Sequence, residues 1–160
     1  MSYKVEFNNI IADILKNKEF LKLREENHHG ISRLEHSINV AKVTYYFAKQ
    51  SRLKNVYEVT RAALLHDFFT NDQLEGKINL IAHPTVAAEN AKRVFNVTDL
   101  EYNMIKSHMF PVNLTIPTSK EGWMLTTADK IVASYEMLKY KVPLYTGVYY
   151  LLFINLIFTK

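Results

Sequence analysis

Four histidines and two aspartates lie in apolar surroundings, and together they could bind a metal ion. Each occurs inside or at the end of a mostly apolar segment; the six are His36, His66, Asp67, His83, His108 and Asp129. A buried ionised carboxylate is costly unless it is paired with a cation or coordinates a metal. Imidazole and carboxylate groups are typical ligands of Zn, Fe, Mn or Ni. Any one of these residues alone is more often an ordinary core, cap or surface residue, but the set indicates a shared divalent transition metal.

Composition narrows the chemistry of such a site. The 160 residues contain no cysteine, which excludes disulfides and cysteine-based zinc sites, so His, Asp or Glu must supply the ligands. The formal net charge of +4 is compatible with anionic substrates but too small to indicate nucleic-acid binding. The N-terminus lacks the apolar core of a signal peptide, so we expect a cytoplasmic protein.

The spacing of apolar residues predicts one all-helical domain over residues 1–160. Ser32 and Glu35 form a capping-box pattern at the start of one helix, and Pro84 suits the first turn of another. The polar stretch before Gly30 is predicted to be a loop. No stretch shows sustained strand alternation. The predicted helices cover about residues 5–23, 33–52, 56–67, 84–95, 98–108 and 121–140.

The adjacent pair His66 and Asp67 carries a geometric constraint. Neighbouring side chains on a helix point about 100° apart. Both can therefore reach one metal only near a helix end, where the backbone geometry changes. The polar residues that follow Phe68 and Phe69 fit such an ending.

The ordered set of motifs resembles the HD superfamily. The early match is EHSINVA, which contains His36, the doublet match is ALLHDFF, and the late match is TTADKIVASYE, which contains Asp129. Two further histidines lie in HPTVAAENA and IKSHM. The sequence HHG at 28–30 is also similar to a group of small bacterial HD phosphohydrolases. The resemblance covers roughly residues 28–136, whereas the HDxGK and GYP signatures of other branches are absent.

The resemblance implies a helical bundle with the metal site at its centre. The first metal would be held by His36, His66, Asp67 and Asp129. Asp67 could bridge to a second metal, held also by His83 and His108. The family thus implies one or two divalent metals per chain, and the two extra histidines favour two.

The same resemblance implies a phosphohydrolase that cleaves a phosphate ester or anhydride of a nucleotide or other small phosphorylated metabolite. Metals lower the pKa of bound water and neutralise charge on phosphoryl oxygens, and we expect the attacking water on the metal bridged by Asp67. Lys130 could add positive charge, although a solvated helix lysine is the simpler interpretation. His28 is a candidate for leaving-group protonation, and His29 and Arg33 are candidates for phosphate binding, unless this region is only a polar loop.

Two other functions remain open at this stage. HD proteins of the myo-inositol oxygenase type hold two irons and activate dioxygen. A nucleotide-binding sensor with a structural metal would bind without catalysis, because structural metal sites are closed.

The role of the C-terminal segment is also open. Residues 148–158 read VYYLLFINLIF, which is too short for a membrane span of about 20 apolar residues. The segment is predicted to be a buried terminal element, with a homodimer contact or a membrane contact as alternatives.

Overall fold

Seven α-helices and one very short hairpin make up most of the described chain. The computed structural model describes residues 3–28, 30–75 and 78–141, together with residue 148. The helices are α1 (Tyr3–Ile11), α2 (Lys18–Leu21), α3 (Arg33–Gln50), α4 (Val56–Leu65), α5 (Asn79–Phe95), α6 (Asp99–Ser107) and α7 (Lys120–Glu136). Single 3-10 turns occur at Ile14–Lys16, Lys22–Arg24 and Asn71–Leu74. The all-helical prediction is confirmed.

The short helix α4 lies in the middle of the bundle. It packs against α1, α3, α5, α6 and α7. Its last seven residues, Val59–Leu65, are all buried, and the side chains from Ala62 to Leu65 are completely inaccessible to solvent. The four completely inaccessible residues are apolar, whereas the buried Arg61 is paired with Asp13 and Glu101. The chain that leaves α4 therefore begins in the interior of the protein, and His66 and Asp67 are the first residues there.

Local capping fixes where the surrounding helices begin. The Ser32 hydroxyl accepts a hydrogen bond from the Glu35 amide and starts α3, as predicted. Thr98 and Glu101 form a complete capping box at the start of α6. Just before α3, strands β1 (Asn27–His28) and β2 (Ile31–Ser32) pair antiparallel, where a loop was predicted. Gly30 adopts a φ of +100°, which suits glycine at this turn.

Three predicted helix boundaries are wrong. The first segment is broken, because the Asn17 side chain accepts hydrogen bonds from the Glu19 and Phe20 amides and starts α2. Helix α5 begins at Asn79 rather than Pro84; proline here removes a single hydrogen bond, to a carbonyl of the exposed Leu80. The last α-helix ends at Glu136 rather than at about residue 140, and the chain continues beyond it as a π-helical segment, Met137–Lys141.

The C-terminal apolar segment lies largely outside the described residues. Of residues 148–158 only Val148 is described, so the suggested homodimer contact stays a prediction. Within the described ranges, every helix is too short or too polar to cross a membrane.

Candidate metal centre

His36 lies near the start of α3 and is held by carboxylates from α7. Its side chain is fully buried. Its Nε2 is 3.2 Å from Oδ1 of Asp129, and its Nδ1 is 2.7 Å from Oε2 of Glu136. The packing of α3 along α7 brings these residues together across about a hundred positions of sequence.

His66 and Asp67 follow directly after the last residue of α4, as the helix-end argument predicted. The His66 Nδ1 donates a hydrogen bond to the Ala63 carbonyl at 2.8 Å. His66 keeps helical backbone angles as the C-cap of α4, and the chain then tightens into a turn in which the Phe68 amide donates to the Leu65 carbonyl. Both His66 and Asp67 are buried there. Among the described residues, nothing hydrogen bonds to the buried Nε2 of His66 in good geometry. This nitrogen is therefore available as a metal ligand.

His83 in α5 and His108 at the end of α6 face each other. Their Nδ1 atoms donate to the carbonyls of Asn79 and Ile105, each at 2.8 Å. This tautomer leaves a lone pair on each Nε2 in the neutral rings. The two Nε2 atoms are only 3.1 Å apart. Two lone pairs at this distance repel each other, and a cation bound by both nitrogens would relieve the repulsion.

The two aspartates lie among the four imidazoles. Oδ1 of Asp67 is 3.4 Å from Nε2 of His83 and 3.7 Å from Nε2 of His108, whereas its Oδ2 is 3.8 Å from Nε2 of His66. Oδ1 of Asp129 is 3.5 Å from Nε2 of His66. One oxygen of Asp67 thus faces His66, and the other faces His83 and His108.

The electrostatics of the metal-free cluster are uneven. Burial lowers the pKa of His36, but hydrogen bonds with Asp129 and Glu136 outweigh it and raise the pKa to about 10. Burial and, after it, the nearby His66 lower the pKa of His108 to about 3. Burial also lowers the pKa of His83. The imidazoles of His83 and His108 are therefore neutral near pH 7, which is the form that binds metals.

All six predicted ligands come together in one buried cluster. Their ligand atoms form three overlapping groups, within each of which all atoms lie inside 4.8 Å of one another. The groups are His36, His66 and Asp67; His66, His108 and Asp129; and Asp67, His83 and His108. The donor set of imidazole nitrogens and carboxylate oxygens fits a transition metal such as Mn, Fe, Ni or Zn.

A cavity of about 490 Å³ opens onto this cluster; we call it the central cavity. Asp67, His83, His108 and Asp129 form its inner wall. Its rim carries polar and apolar side chains, including Asn27, Phe69, Asn71, Asn79, Leu80 and Met109. A space of this size can accept a small metabolite beside the cluster.

Two predicted cationic residues, Arg33 and Lys130, also line the central cavity. The Arg33 guanidinium lies 3.8 Å above the Phe69 ring and donates hydrogen bonds to the Phe69 carbonyl and the Asn71 side chain. The Lys130 ammonium donates to the His108 carbonyl at 3.1 Å, and burial lowers the pKa of this lysine. Both cations are thus held in place in the lining of the central cavity.

Two other predicted residues, His28 and His29, are described only in part or not at all. His28 lies in β1, next to Asn27 of the cavity rim, and only its backbone is described. His29 lies outside the described residues. Their suggested roles therefore stay predictions.

Glu136 was missed by sequence reasoning, although it contacts a predicted ligand directly. It ends the motif TTADKIVASYE, two helical turns after Asp129. That i, i+7 spacing places the two carboxylates on the same face of α7 and was the available signal. Asn39, which donates to Glu136 at 3.0 Å, was also missed.

Comparison with known protein families assigns the chain. Residues 33–134, well over half of the sequence, match the family model of the HD domain. No curated protein and no solved structure matches the chain. The matched range contains all six residues of the cluster and both cations of the central cavity. The chain therefore belongs to the HD domain family.

Proposed function

We propose that this protein is a metal-dependent phosphohydrolase that cleaves a phosphate ester or anhydride of a nucleotide or another small phosphorylated metabolite. One observation carries the proposal. Three imidazoles, those of His66, His83 and His108, are oriented by their Nδ1 hydrogen bonds so that each Nε2 faces a buried centre shared with two aspartates. That centre opens into a cavity flanked by two cations.

We assign the residues to two metal positions, following the division that the family resemblance implies. His36, His66, Asp67 and Asp129 would hold one metal, and His83 and His108 would hold the other together with the second oxygen of Asp67. When bound, such metals supply a water of lowered pKa and stabilise charge on phosphoryl oxygens. The Nδ1 hydrogen bonds keep the imidazoles from turning away.

Arg33 and Lys130 would bind the substrate phosphate. Arg33 is almost completely buried, and contacts with Glu26, Phe69 and Asn71 restrict its guanidinium. A positive group fixed before substrate arrives stabilises developing negative charge without reorganisation. Lys130 adds a second positive charge beside Asp129.

We also propose roles in the reaction for His28 and His29, next to the cavity-lining residue Asn27 in the sequence. Strand β1 ends immediately before residue 29, and its first residue, Asn27, lines the central cavity. We assign His28 to protonation of the leaving group and His29 to substrate binding. An alanine variant of His28 with unchanged turnover would remove this residue from the mechanism.

Metal content and hydrolysis together test the proposal. The protein should be purified without added metal or chelator, and its metals counted by elemental mass spectrometry. It is then assayed for phosphate or pyrophosphate release from a panel of nucleotides and sugar phosphates, with Asp67→Asn as the inactive control. We expect close to two transition metals per chain and hydrolysis of at least one substrate class.

The same measurements separate the proposal from its competitors. Two irons with substrate-dependent oxygen uptake, and no phosphate release, would replace it with an oxygenase. Tight nucleotide binding without any hydrolysis would replace it with a sensor. Metal content near zero that added Mn, Fe, Ni or Zn does not restore would contradict the metal centre itself.

A further inference from the structure

Glu136 is a buried carboxylate that contacts Nδ1 of His36, the ring nitrogen opposite the candidate metal ligand Nε2. Its side chain is 2% exposed. Its Oε2 lies 2.7 Å from Nδ1 of His36, on the side of the ring away from Asp129. Its Oε1 accepts a hydrogen bond from the Asn39 side chain at 3.0 Å, which fixes the orientation of the carboxylate.

This arrangement sets His36 apart from the other three imidazoles. The Nδ1 atoms of His66, His83 and His108 each donate to a neutral backbone carbonyl of their own helix. Only a charged acceptor makes the stronger, charge-assisted hydrogen bond, and it also raises the basicity of the opposite ring nitrogen. Nε2 of His36 should therefore be the best metal donor of the four.

The two halves of the cluster also differ in carboxylate charge. The half that contains His36 includes both Asp67 and Asp129, with Glu136 behind it. Among the described carboxylates, only Asp67 lies within 4 Å of Nε2 of His83 and His108. Asp129 also has an oxygen within 4.8 Å of a ring nitrogen of His108, but no described glutamate hydrogen bonds to either ring. Negative charge close to a divalent cation strengthens its binding, and the effect is larger in a buried site than in water.

We propose that Glu136 is a positioning residue that fixes His36 and makes its half of the cluster the tighter of two metal sites. The site at His83 and His108 is then the weaker one, from which metal exchanges more readily. This inference rests on the metal centre of the proposed function, but not on the hydrolytic reaction.

Titration with Co²⁺ tests the inference without any activity measurement. Metal-free protein is titrated with Co²⁺ in competition with a chromophoric chelator, while the visible absorption of the bound ion is followed. The wild-type protein should bind two ions in two resolved steps. Glu136→Ala should weaken the tighter step by about 10- to 100-fold and leave the weaker step unchanged.

Two matched variants separate positioning from a merely structural role. Glu136→Gln keeps an oxygen that can accept from His36 but loses the charge, so its loss of affinity should be intermediate. Glu121 is a second buried glutamate on α7, and it accepts a hydrogen bond from Asn55 rather than from a histidine. Glu121→Gln should leave both Co²⁺ affinities unchanged, and circular dichroism should show wild-type helix content in both glutamine variants.

Several outcomes would overturn the inference. These are two equal Co²⁺ sites in the wild type, no Co²⁺ binding, wild-type affinities in both Glu136 variants, or equal weakening of both steps. A protein that binds Co²⁺ in two unequal steps but hydrolyses no phosphate would contradict the proposed function alone. The two ideas can therefore fail separately.

Discussion

Asp67 is the residue whose replacement should most completely abolish metal binding, because both halves of the cluster use it. Its Oδ1 is 3.4 Å from Nε2 of His83, and its Oδ2 is 3.8 Å from Nε2 of His66. Asp67→Asn keeps the shape of the side chain but removes its negative charge. We expect this variant to lose affinity at both metal positions, whereas His83→Asn should weaken only one.

The expected size of the effect follows from linkage between metal binding and folding. A metal that binds only the folded protein stabilises it by about 2.7 kcal/mol per site when free metal is about 100-fold above Kd. In a chain of this length about 1 kcal/mol moves Tm by about 2–4 °C, so each site should raise Tm by about 5–11 °C. Changing from chelator to excess Mn²⁺ should give two such increments in the wild type, about one in His83→Asn and none in Asp67→Asn.

Thermal unfolding followed by far-ultraviolet circular dichroism measures these shifts directly. Asp72→Asn is the matched control, because Asp72 is exposed in the turn that follows the doublet and lies outside the candidate ligand groups. This control should keep the full metal-dependent shift. A wild-type shift in Asp67→Asn would refute the shared role of Asp67, even if the variant were less stable overall.

Arg33→Lys and Lys130→Gln should each lower kcat/KM by about 10- to 10³-fold through lost stabilisation of phosphoryl charge, with metal content unchanged by mass spectrometry. In chelator-treated protein, burial lowers the pKa of His36, but its two carboxylate partners raise it to about 10. Because the pKa of His36 is higher in the folded than in the unfolded protein, its contribution to stability is fully present below about pH 6.5 and is lost as the pH rises through about 10. Tm should therefore fall between neutral and alkaline pH, and His36→Gln should flatten that decline. Leu64→Ala in the fully buried α4 should lower the free energy of unfolding by about 2–5 kcal/mol in urea titrations.

The clustering of the six candidate ligands could be anticipated from sequence because each has an apolar setting. A histidine or aspartate inside an apolar helix is expected to face the interior. Several such buried polar groups in one domain must then be paired with one another or with a shared cation. The end of α4 at Leu65 could also be predicted from sequence, because two adjacent residues cannot both face one point from within a helix.

Other features depend on tertiary structure and could not be predicted in the same way. Apolar periodicity continues through Asn17, so the break before α2 depends on a side-chain cap that competes with helix continuation. Pro84 favoured a helix start, yet α5 begins at Asn79, and its exposed first turn is closed by hydrogen bonds to the Ile78 carbonyl. The spacing of Glu136 from Asp129 indicates a shared face of α7, but only the pairing of α3 with α7 brings Glu136 to His36.

The geometry of the candidate centre follows largely from where helices stop. The last carbonyls of a helix lack intrahelical partners. Helix α4 ends at Leu65 and α6 ends at Ser107, so the carbonyls of Ala63 and Ile105 accept the Nδ1 hydrogens of the histidines just beyond. The carbonyls at each helix end thus orient the ring and fix its tautomer.

His36 does not pair with a carbonyl of its own helix, although His83, which also lies within a helix, pairs with the Asn79 carbonyl of α5. The Nδ1 of His36 needs an acceptor from elsewhere in the fold, and α7 supplies Glu136. The ring nearest the two aspartates of the first metal position is therefore held by a charge, while the rings of the second are held by carbonyls. The unequal metal affinities that we propose thus follow from the group that accepts from each ring, which is a carboxylate for His36 and a backbone carbonyl for the other three histidines.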